Sequence, residues 1–119
     1  MGVCSMLDVK KYIGKSYTEY TCYGLFRAIQ ADLGYDLPDY DAGTPRQNAE
    51  KIEMEALSKY VKLDKAVEGC GIIIYDCGLP CHVATYIGEG KIIHSKKDTG
   101  VVITDLALEK VYGYYGVRK

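Results

Sequence analysis

The chain has 119 residues, 48% of them hydrophobic, which suits one domain (1–119) around one core and excludes a disordered chain. With 15 Lys and Arg against 16 Asp and Glu, the net charge of -1 sets up no strong field for nucleic acid or an anionic membrane. No apolar run approaches the roughly 18 residues of a membrane span. The Met1–Met6 stretch has no signal-peptide or myristoylation pattern, so synthesis in the cytosol without an export signal is expected.

In chain order, residues 1–11 read as a short, partly helical lead-in through Met6–Val9, followed by a turn at Gly14-Lys15. An amphipathic helix then opens at Cys22, with Cys22, Leu25, Phe26, Ile29 and Leu33 on one buried face. Thr21 is its N-cap and Gly34 its stop, so Cys22 is the first helical residue. Unpaired backbone N–H groups and the positive helix end then point at the sulfur, a setting expected to lower its pKa. Tyr35–Pro38 is extended, since Pro38 disfavours helix at Leu37, and 39–43 is a polar loop. A second helix is signalled by the Thr44/Gln47 capping box with Pro45 at its first position. Its apolar stripe is Ala49, Ile52, Ala56, Leu57 and Tyr60, and residues 61–69 lead out to a turn at Glu68-Gly69.

The period then becomes that of strands. Cys70–Tyr75 reads as a buried strand, 76–80 as a turn, and Cys81–Ile87 as an alternating strand. Gly88-Glu89-Gly90 reads as a three-residue hairpin loop, with Lys91–Ser95 as the return strand. Val101–Thr104 and Val111–Tyr115 complete the set. Helices followed by a meander of antiparallel strands predict an α+β fold.

The five cysteines are Cys4, Cys22, Cys70, Cys77 and Cys81, an odd number that argues against a disulfide framework. A structural zinc held by Cys70, Cys77, Cys81 and a histidine is an alternative, although the spacing fits the usual zinc patterns loosely. The chain's two histidines both fall on the predicted hairpin. A three-residue loop puts Ala84 opposite His94 and makes His82 a same-face diagonal neighbour, within reach of an imidazole–imidazole hydrogen bond. A two-residue loop would put the rings on opposite faces. If the Cys22 helix packs on the face carrying both rings, Cys22 is a nucleophile, His82 holds its proton as an ion pair, and His94 orients His82. Alternation turns Cys81 to the other face. The 12 tyrosines suit a groove for a polar substrate as well as an ordinary core.

These residues resemble the NlpC family of papain-like cysteine peptidases, which cleave the peptide stems of bacterial cell wall. The matching stretches are Gly14-x-x-Tyr17, Thr21-Cys22-Tyr23-Gly24-Leu25, Leu37-Pro38, Gly69-Cys70, His82–Gly90 and Lys91–His94. The resemblance implies a papain-like fold with N-terminal helices on an antiparallel sheet. It implies a catalytic Cys22, His82 and His94, the Cys22 N–H in an oxyanion hole, and Tyr17 beside the nucleophile, without metal or organic cofactor. The implied reaction is hydrolysis of a stem-peptide amide in peptidoglycan, commonly between D-glutamate and the next diamino acid. Thr21 and Tyr23 stand where the family has Asp and Ser, and Cys70 stands for the Asp of Gly-Asp. Thr21 and Tyr23 are therefore candidates for shaping substrate preference. A stand-alone member of this kind would act at the cell envelope, delivered by a phage tail or secretion system. Two alternatives stand beside it: an acyltransferase or amidase on another substrate, and a structural module with an unused or zinc-occupied site.

Overall fold

A computed structural model describes residues 9–35, 37, 60–76 and 78–117. The second helix predicted from Thr44 lies outside them, apart from Tyr60. Helix α1 spans Cys22–Asp32, and both of its ends follow from local chemistry. The Thr21 hydroxyl accepts the Gly24 N–H at 3.0 Å, and the Thr21 carbonyl accepts that of Leu25. At the other end, Gly34 N–H bonds to Ala31 and Tyr35 N–H to Gln30, the paired bonds of a helix closing through a left-handed residue.

Six strands form one antiparallel sheet: β1 (Tyr60–Leu63), β2 (Gly71–Asp76), β3 (Leu79–Gly88), β4 (Lys91–Lys96), β5 (Gly100–Asp105) and β6 (Val111–Val117). Their spatial order is β1-β6-β2-β3-β4-β5. Strands β2 to β5 are the expected meander, but β6 returns to the far side of β2 and pairs with β1 at the edge. Tyr60 is therefore the start of a strand rather than the end of a helix. Its pairing opposite Val117 is a long-range contact, which overrides a helical period read locally. The strands also run further into their turns than expected, with Asp76 already paired to Leu79.

The hairpin between β3 and β4 reaches the predicted register by another route. Gly88 pairs with Lys91, leaving a two-residue turn at Glu89-Gly90, both with positive φ (55° and 75°) as such a tight turn requires. Alone, that turn would slip the register by one. Ile87 is an extra residue between the Tyr86–Ile92 and Gly88–Lys91 pairs, and this bulge restores it. With Thr85 opposite Ile93, Ala84 is level with His94, and both imidazoles lie on one face.

Helix α1 covers the opposite face. Leu25 and Ile29 pack with Ile87, Ile93 and Val101, and Phe26 packs with Ile73 and Val83. Ala84 lies with Ile72, Ile74 and Ile92 on the other side, and His82, directly across from Ile74, shares that side. The body of the helix thus does not lie on the face that carries the rings. Its apolar stripe packs instead on Ile73, Val83, Ile87 and Ile93 of the face without the histidines.

Candidate active site

The end of α1, unlike its body, enters the sheet. The β3–β4 ladder stops at Thr85–Ile93, although both strands continue beyond it. Tyr86 spends its N–H and C=O on the Cys70 and Gly69 side, so alternation turns the Val83 N–H the other way, toward the missing β4 partner. That N–H instead helps to stabilise the Cys22 thiolate, acting to lower the thiol's pKa. Across the gap, the Ser95 hydroxyl, on a fully buried side chain, donates to the Tyr20 carbonyl. Residues 20–22 are therefore seated in the splay between two strands. The Cys22 end of the helix thus reaches Val83, the residue next to His82, from the face opposite the two rings.

Burial pushes the Cys22 thiol up from its ordinary value; the N–H groups of Val83, Tyr23 and Cys22 itself pull against this, and the Asp76 carboxylate adds to it. The expected lowering by the helix start is thus overturned. Desolvation of the half-buried thiol outweighs the backbone dipoles that would favour the thiolate.

His82 Nε2 lies 2.7 Å from His94 Nδ1, with ring planes at 63°. The other nitrogen of His94, Nε2, lies 2.9 Å from the Thr104 hydroxyl on β5. Burial lowers His82 to about 4, with the Asp76 charge opposing and Lys96 assisting. His94, 1% exposed, is also lowered to about 4, first by burial and then by His82 and Lys96. Both shifts work against the thiolate–imidazolium pair expected from the sequence and favour the neutral thiol and neutral imidazoles.

A stability prediction follows. The unfolded chain binds protons at the ordinary histidine value of 6.5 and the folded pair only near 4. The pair's contribution is fully present above pH 6.5 and is lost as pH falls towards 4. The first proton taken up alone accounts for a loss on the order of 3 kcal/mol. Urea unfolding at pH 7 and 4.5 measures it. The double variant His82→Gln/His94→Gln should show a flatter pH dependence, and an equal slope in both proteins would contradict the burial argument.

The remaining expected site residues divide. Tyr17 is half-buried, and its phenol is raised by burial and then by the charges of Cys22, Cys81 and Asp76. The Thr21 hydroxyl is used by the helix cap. Tyr23 tilts against Phe26 at 6.4 Å. Cys81 is buried, with its sulfur 3.8 Å from the Asp76 carbonyl. It is the extra residue of a second bulge, between the Ile74–His82 and Tyr75–Pro80 pairs, so simple alternation does not set its direction. Among the described residues no three His, Cys, Asp or Glu side chains gather as metal ligands, and Cys77 of the alternative zinc set lies outside them.

Sequence reasoning missed Asp76, Lys96 and Thr104. Asp76 lies two residues beyond Ile74, and Lys96 two beyond His94, so the two opposite charges flank the ring pair on its own face. That parity was readable once the strands were placed. Thr104 depended on the β4–β5 register, which no turn motif sets.

Among the described residues, one α-helix laid on a six-stranded antiparallel sheet makes this an α+β protein. The NlpC/P60 family model matches residues 10–116, and the chain belongs to that family. It is a family of peptidoglycan-directed cysteine peptidases and amidases. A search of curated proteins returned no match. Among the described residues no helix is long and apolar enough to cross a membrane.

Proposed function

We propose that the protein is a cysteine peptidase that hydrolyses an amide in peptidoglycan stem peptides, commonly the D-glutamyl–diamino acid bond, with Cys22, His82 and His94 as its catalytic residues. The observation that carries this reading is the 2.7 Å His82–His94 imidazole pair, with the helix-opening Cys22 reaching Val83, the residue next to His82. In this reading, His82 uses Nε2 towards His94 and keeps Nδ1 for the thiol proton. Because the shifts favour the neutral form of both groups, proton transfer accompanies attack. The sulfur adds to the scissile carbonyl as His82 takes its proton, and the oxyanion is met by the Cys22 backbone N–H at the helix start. The leaving amine takes the proton from His82, which frees a thioester. Water, deprotonated by His82, then opens the thioester to the acid and restores the thiol. Tyr17, Thr21 and Tyr23 border the entry to the nucleophile, where the stem peptide would lie.

The experiment is digestion of purified wall fragments in heavy-oxygen water. The expected products carry a new free amine and one heavy oxygen in the new carboxylate. A joined peptide in place of the labelled acid would make the protein an acyltransferase. Alkylation at pH 7, mapped by mass, should mark Cys22 before the buried Cys70 and Cys81 and stop digestion in proportion. Labelling at Cys22 without cleavage of any wall fragment would sink the substrate and spare the nucleophile.

A further inference from the structure

The His82–His94 hydrogen bond can be polarised in two directions, and only one is compatible with a base at His82. If His82 Nε2–H donates to His94 Nδ1, then His82 Nδ1 is bare and able to accept a proton. If His94 Nδ1–H donates instead, His82 carries its proton on Nδ1 and presents no lone pair there. Once His82 is doubly protonated, only the first direction survives, because an imidazolium has no acceptor nitrogen. His94 must then keep its own proton on Nε2, and that buried N–H needs an acceptor. The Thr104 hydroxyl, 2.9 Å away, is in place to receive it.

We infer that Thr104 is a positioning residue that sets the direction of the His82–His94 hydrogen bond by accepting the His94 Nε2–H. This inference rests on the reading of His82 as the base. Its geometry comes from the β4–β5 register. Thr104 stands directly opposite Ile92, with His94 opposite Val102, so the hydroxyl reaches the ring as a same-face diagonal neighbour. Thr104 is half-buried, and its hydroxyl can turn its own hydrogen away from the ring and remain an acceptor. A valine of the same shape removes the acceptor and leaves the second direction as the one that satisfies the pair.

The test uses three proteins: wild type, Thr104→Val and Thr104→Ser. Nitrogen-15 spectroscopy of the histidines at pH 7 should place the His94 proton on Nε2 in wild type and the serine variant, and on Nδ1 in the valine variant. The rate of Cys22 alkylation should fall on the order of tenfold to a hundredfold in Thr104→Val, the size of a buried donor left unpaired, and recover with serine. The charged groups facing the pair, Asp76 from β2 and Lys96 from β4, are the same in all three, so a change in pH profile reports the hydroxyl. A wild-type spectrum with the His94 proton on Nδ1 overturns the inference whether or not the valine variant folds. So does an unchanged alkylation rate in a folded Thr104→Val while His82→Gln slows it. If His82→Gln leaves alkylation unchanged, the base reading fails first, while the spectra still report on Thr104.

Discussion

Replacing His82 by Gln is expected to lower the turnover of wall fragments on the order of a thousandfold to ten-thousandfold, the scale seen when one member of a nucleophile–base unit is removed. Cys22→Ala should cost at least as much. Glutamine keeps a polar side chain level with His94 Nδ1, so the sheet should still close, yet the amide cannot take the thiol proton. Burial also works against a standing thiolate that could attack unaided. The double variant should therefore lose little more than either single one, since the two groups act in one step. The pH dependence separates this reading from a preformed ion pair. The base must be neutral to act, and a value of about 4 keeps His82 neutral down to pH 5. The acid limb of kcat/KM should fall near pH 4, well below the ordinary imidazole range. A limb near 6.5 would mean that His82 is more solvated than its position indicates.

The parts of the site that were legible in the sequence are those held by short-range chemistry. Thr21 and Gly34 bracket α1 because capping involves residues within one turn of each end. The two histidines share a face because a short hairpin transmits register, and here a bulge at Ile87 compensates for a tighter turn. What escaped was set by tertiary contact. The shift of the Cys22 thiol depends on the burial of the helix end. The choice of face by α1 depends on Ile73, Val83 and Ile93, residues from three strands, being brought together on one side of the sheet. Strand β1 and the return of β6 depend on a pairing between residues about 55 apart, as in Tyr60 with Val117, which no local pattern encodes. The resemblance to the family placed Cys22, His82 and His94 in order along the chain, but it did not carry Thr104 or Asp76.

Gly100→Ala is expected to destabilise the fold by about 3–5 kcal/mol and to slow Cys22 alkylation as well, because this glycine anchors the segment 14–21, a strap that leads into α1. The strap is held to the start of β5 by two backbone bonds, Val101 N–H to the Lys15 carbonyl at 2.9 Å and Gly14 N–H to the Val101 carbonyl at 3.1 Å. Gly100 has φ +75°, and a Cβ there would collide with the Lys15 carbonyl oxygen and lie 3.3 Å from both Lys15 C and Ser16 Cα. The neighbours are backbone and cannot swing aside. Relief requires the strap to move, and the strap carries Tyr17, then Tyr20 with its carbonyl on Ser95, then the cap of α1. A displacement of about 1 Å at a nucleophile costs on the order of a hundredfold in rate. Gly90→Ala is the control. Gly90 has the same φ of +75°, but nothing lies within 4 Å of the added carbon. It should cost only the backbone term, about 1 kcal/mol, and leave alkylation unchanged. Urea unfolding at pH 7 and the alkylation rate of each variant decide the matter. Equal losses for the two would show that the strap is not held by its contact with Gly100.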